Sequence, residues 1–142
     1  MERLSLILWR ERELLESLLY RLEVEQLVLA GARSRWRGRS AQEVESLLHQ
    51  LAETETLRAS AADEAATGCG LAPGPSLGAL ADAVGDPWRS VLLDHRAALV
   101  AVTDQVAELA PANCHLVTSG YRSARDALRA LEPVTRESGS RR

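Results

Sequence analysis

The sequence predicts an all-α fold: an elongated antiparallel helical bundle of three long helices plus one short helix, with the last helix bent or broken near Pro111. Three observations predict it. Leucines recur at alternating steps of four and three, the spacing of a helical stripe. Apolar residues make up 46% of the chain but aromatics only 4%, with no Phe, so the core must be built from Leu, Ala and Val. Such a composition suits packed helices better than sheets. Glycine and proline, finally, gather at the few places where the stripes stop.

The first helix covers Glu2 to about Ala30, a stretch without Gly or Pro, and Gly31 fits its end. Its seam reads Leu4, Leu8, Glu11, Leu15, Leu18, Leu22, Glu25, Leu29, and Leu14, Leu19 and Leu27 widen the stripe. For the second helix, Ser40 followed by Glu43 reads as a capping box, in which each side chain takes the other's free backbone amide. Val44, Leu47, Leu48, Leu51, Leu57, Ala61 and Ala65 form its apolar face, and Gly68 and Gly70 end it. After the stiff Pro73-Gly74-Pro75 connector, Ser76 caps a short helix through Val84, with Gly85 as its stop. Asp86-Pro87 reads as an acidic cap followed by proline at the first helical position. The last seam then runs Trp88, Leu92, His95, Leu99, Val102, Val106, Leu109, Asn113, Leu116, Gly120, Ala124, Leu128, Leu131. Pro111 lies off that seam and lacks the amide that would bond the Ala107 carbonyl. Pro133 ends the helix. The chain therefore reads as a single domain over residues 1–132 with a disordered tail over residues 133–142.

Composition excludes several function classes. The net charge is -3 and the isoelectric point about 5.6, so no global field draws the chain to nucleic acid or anionic lipid. Every cation is Arg; without Lys there is no phosphate-loop lysine, Schiff base or lysine general base. Cys69 and Cys114 follow neither a disulfide framework nor a zinc spacing, which points to a reducing compartment. The apolar run from Leu4 to Trp9 is too short for a membrane span or signal peptide, so a cytoplasmic protein without membrane insertion is expected.

Candidate sites weigh against catalysis. Arg33, Arg35, Arg37 and Arg39 surround Trp36 at the joint of the first two helices. The flanking helices are rich in glutamate, so the patch reads as a helix connector rather than a nucleic-acid site, some of its charge favouring the end of the first helix. Trp36 reads as a lid over the helix ends. His95 on the seam reads as a hydrogen-bonded core residue. Cys114 and His115 point to different faces of a helix and cannot share a metal without other ligands, so no metal or cofactor is expected. Asn113 is a polar seam position of the kind that fixes register.

The run WRERELLESLLYRLEVEQLVLAGARSRW (Trp9 to Trp36) resembles the opening helix of FlgN-type flagellar export chaperones, with repeated leucines and an L-x-x-E pattern before a small-residue break. PWRSVLLDHRAALVAVTDQVAELAPANCHLVTSGYRSARDAL (Pro87 to Leu128) resembles the family's closing helix. There Leu109, Asn113 and Leu116 fall on an L-N-x-x-N-x-x-L pattern, with Ala110 in place of its first asparagine, Cys114 where a basic residue is common, and Pro111 interrupting. GLAPGPSLGALADAV is similar to the family's mid-chain segment. The resemblance implies a non-enzymatic, cytoplasmic chaperone that binds the C-terminal segments of hook-filament junction proteins and delivers them to the flagellar type III export gate or ATPase components. It places client binding after Pro111, on Leu116, Val117, Tyr121, Ala124, Leu128 and Leu131, with Tyr121 also the candidate for touching the gate. The same seams serve a generic coiled-coil adaptor equally well, and a homodimer through the long helices is the expectation that separates the two.

Overall fold

The computed structural model describes residues 1–31 and 34–113. Its order is α1 (Glu2–Ala30), a 3-10 turn (Ser34–Trp36), α2 (Arg37–Gly68), α3 (Leu77–Val84) and α4 (Trp88–Asn113), and no strand occurs among the described residues. At ~1.5 Å per residue the three long helices span roughly 40–48 Å each, so the bundle is elongated. α1 is the central element: it packs against both α2 and α4, and α3 packs against α4. Arg3 meets Glu64 and Arg21 meets Glu43, so α2 runs antiparallel to α1. α4 runs back antiparallel to α2, bringing His95 beside Ser5 and Arg12.

The first seam is buried as its spacing predicts. Leu4, Leu8, Glu11, Leu15, Leu18, Leu22 and Glu25 all lie inside, with Leu14 beside them. Leu29 is half-buried, and Leu27 departs from the prediction, 73% exposed on the outer face of α1. One core joins Leu48 and Leu51 of α2, Leu77 and Leu80 of α3, and Leu92, Leu99 and Val106 of α4. All the described core side chains are Leu, Val or Ala. Burying each such leucine fully contributes about 1.5–3 kcal/mol.

Local signals set most boundaries. The Ser76 hydroxyl accepts from the Ala79 amide at 3.0 Å and starts α3, and Gly85, at φ 70°, ends it in a conformation that side chains with a Cβ resist. Gly70, at φ 73°, similarly turns the chain out of α2. Two predicted caps differ. α2 begins at Arg37, directly out of the 3-10 turn, so Ser40 is a buried residue inside the helix and not its cap. The Glu43 carboxylate goes instead to Arg21 at 2.6 Å and Arg39 at 3.1 Å, because two guanidiniums outcompete a backbone amide. Pro87 precedes α4 across a cis Asp86-Pro87 bond, and Asp86 accepts from the Ser90 hydroxyl at 2.9 Å.

α4 continues through Pro111 to Asn113, so the proline does not end it within the described residues. Its ring fixes φ near the helical value, and its missing amide costs one backbone bond. A bend at Pro111 would fall at the limit of the described residues, and the tail 133–142 lies beyond it.

Candidate functional site

The α4 seam lies against α1 as its spacing predicts: Leu92, His95, Leu99, Val102 and Val106 are buried, while Trp88 and Leu109 are half-buried. His95 is 1% exposed. Its Nδ1 lies 3.2 Å from the Arg12 guanidinium and its Nε2 3.2 Å from the Ser5 hydroxyl. Arginine can only donate, so Nδ1 accepts and the ring proton sits on Nε2, donated to Ser5. Burial first, and then the Arg12 charge, hold His95 below its ordinary value against the opposing pull of Asp94. Asp94 in turn pairs with Arg12 at 3.2 Å. Trp9 closes the group, its ring edge-on to the imidazole at 5.0 Å and beneath the Arg12 guanidinium at 4.1 Å. Both ring nitrogens are thus committed to joining α4 to α1, which is the structural role expected of a core histidine.

Sequence reasoning missed the matching feature on the other flank of α1. Leu57, assigned to the apolar face of α2, is 51% exposed, and the next residue, Arg58, is buried in its place. Arg58 forks onto Glu55, with Nε donating to Oε2 at 3.0 Å and a terminal nitrogen to Oε1. It also faces Glu11 across the seam at 3.6 Å, beyond hydrogen-bond reach. Glu11 is 1% exposed, and neither of its oxygens has a hydrogen-bond partner among the described residues. Burial pushes its carboxyl up to about 8, and Glu55 adds to the rise while Arg58 opposes it. Burial works against the Arg58 charge too, but Glu55 and Glu11 outweigh it and keep the guanidinium above its ordinary value. A signal for this was present: Leu51, Thr54, Arg58 and Ala61 follow the three-four-three rhythm, and a glutamate on the α1 seam calls for a cation opposite.

The arginine patch lies at the α1–α2 junction, as expected of a connector. Arg35 stacks over Trp36 at 4.9 Å, and Arg39 is held by Glu43. For two of these arginines the helix dipole works the other way. The last turn of α1 holds no basic residue, whereas Arg37 and Arg39 stand in the first turn of α2, where positive charge is unfavourable. Glu43, one turn on, relieves Arg39. Trp36 is 42% exposed and so covers the junction only in part. Farther along the same two helices, away from Trp36, α1 and α2 form an open groove of about 740 Å³ lined by Leu14, Ser17, Tyr20, Arg21, Glu43 and Leu47.

No group of three or more His, Cys, Asp or Glu among the described residues is placed to hold a metal ion. No described helix is long and apolar enough to cross a membrane. Asn113 is the last described residue of α4. Leu116, Val117, Tyr121, Ala124, Leu128 and Leu131 lie outside the described residues, as do Arg33, Cys114 and His115.

The FlgN protein family matches this chain over residues 1–140, which takes in the whole bundle and the segment that follows it. The chain belongs to the FlgN family. This makes it a member of a family of flagellar export chaperones, proteins that are not enzymes. No curated protein and no solved structure matches the chain.

Proposed function

We propose that this FlgN-family chain is a cytoplasmic chaperone that binds the C-terminal segments of hook-filament junction proteins and delivers them to the type III export gate. The observation that carries the reading is the family match over residues 1–140, which runs well past the described end of the bundle at Asn113. The client-binding residues in this reading are Leu116, Val117, Tyr121, Ala124, Leu128 and Leu131, with Tyr121 also offered to the gate. What supports the placement is sequence: the apolar repeat of α4 continues beyond Leu109, and its spacing lengthens at Gly120. A stripe that changes step cannot keep one partner along its whole length, which leaves it to a second helix laid in from another protein.

Calorimetric titration with the C-terminal fragment of a junction protein from the same genome tests this. A one-to-one complex of micromolar affinity or tighter is expected. Leu128→Asp should abolish it while leaving the urea midpoint of the chaperone unchanged. No complex with the unaltered chain would refute the client assignment, and loss of fold in Leu128→Asp would make Leu128 a core residue rather than a contact.

A further inference from the structure

We propose that Glu11, Glu55 and Arg58 form a proton-linked latch between α1 and α2, in which the two carboxylates keep one proton while the helices are packed and release it when they part. The charge balance leads there. Two carboxylates face a single guanidinium in a nearly dry seam, the side chains of Arg58 and Glu11 being 8% and 1% exposed. Glu55 sits one turn from Arg58 on the same helix and takes both prongs of its fork, a pair that survives if α2 leaves α1.

Glu11 belongs to the other helix. As a carboxylate it would be a buried charge with no donor on either oxygen among the described residues and its cation committed to Glu55. As a neutral acid it sheds that cost and has a proton to offer Glu55. The seam therefore fits the protonated form. Separation of the helices returns Glu11 to water, where it is an ordinary carboxylic acid and ionises.

Among the described residues, the charged groups of the other helices are held elsewhere. α2 presents Arg58 and Glu55 to Glu11. On α4, His95 and Asp94 are held by Arg12, and on α3, Asp82 is paired with Arg89 at 4.0 Å. Because the closed state raises Glu11 from 4.5 to about 8, the stabilisation is complete below pH 4.5 and is lost as pH rises to 8. Within that window the closing equilibrium falls about tenfold per pH unit. His95 acts with the opposite sign, since its contribution is present above 6.5 and is lost on acidification. The interval from 6.5 to 8 thus separates the latch from His95.

Urea unfolding of the full chain at several pH values between these limits tests the proposal. The folding constant of the wild type should drop more than tenfold, whereas Glu11→Gln, a neutral mimic of the protonated acid, should give a nearly flat profile. Carbon-13 titration of the Glu11 carboxyl in the wild type gives a second reading that depends on no variant, with a midpoint near 8 expected. A flat wild-type profile, an unchanged slope in Glu11→Gln, or a Glu11 midpoint in the ordinary carboxylate range would each overturn the latch.

Discussion

The two flanks of α1 meet the same difficulty and answer it differently. Toward α4 the seam buries His95, and toward α2 it buries Glu11, each 1% exposed. The histidine enters as a neutral ring with one nitrogen accepting from Arg12 and the other donating to Ser5, so its burial leaves nothing unpaired. The glutamate enters opposite a guanidinium already forked onto Glu55, and its oxygens have no hydrogen-bond donor among the described residues. A titratable group on an apolar seam thus becomes a plain joint when a neighbour satisfies each of its polar atoms. It becomes a protonation-dependent contact when charges outnumber their partners.

The sharpest way to break the comparison is to remove the cation. Arg58→Ala strips the Glu55 carboxylate of its cation beside the buried Glu11 and should destabilise the fold by about 3–5 kcal/mol, measured by urea denaturation near neutral pH. A cost below ~1 kcal/mol would mean that the seam does not depend on Arg58.

His95→Ala should have a smaller effect, about 2–3 kcal/mol, from a cavity plus an unpaired Ser5 hydroxyl in a site that can still admit water. The pH dependence distinguishes the two flanks further. Folding depresses His95, so its contribution is present above 6.5 and falls away as pH drops through the lowered value, and His95→Ala should flatten the acid limb of the stability profile. An acid limb unchanged in the variant would show that other groups control it.

Leu57→Ser is the smallest expected change. It alters a larger apolar side chain one position from Arg58, yet the residue is 51% exposed, so the midpoint should move by less than ~0.5 kcal/mol. If Leu57→Ser proved costlier than Arg58→Ala, the assignment of faces on α2 would be reversed.

These neighbours also show where the sequence was legible. Leucine spacing located the seam residues of α1 and α4 nearly one for one, because burial on a helix repeats with the helical period and the period is local. On α2 the apolar pattern thins to Thr54, Arg58 and alanines, and a reading weighted toward leucine chose Leu57 over the arginine that keeps the rhythm. The Ser76 cap was legible for the same local reason. The Ser40–Glu43 box was not, because Glu43 is claimed by Arg21 from the neighbouring helix. The proposed client residues stayed at the level of sequence, since the described chain ends at Asn113.

The sequence by itself determined the helical class, the order of the four described helices, the approximate limits of the first three, and the faces that α1 and α4 bury. All of these follow from the backbone's own period and from residues that start or stop it within a turn. Only the tertiary structure decided which polar groups meet inside. His95 is joined to Ser5 and Arg12 across 90 and 83 positions, and Arg58 reaches Glu11 from another helix. Hydrogen-bond geometry and charge balance act through space and leave no periodic trace along the chain. Packing α1 between α2 and α4 therefore made one of its buried polar groups a fixed joint and the other a site that binds a proton.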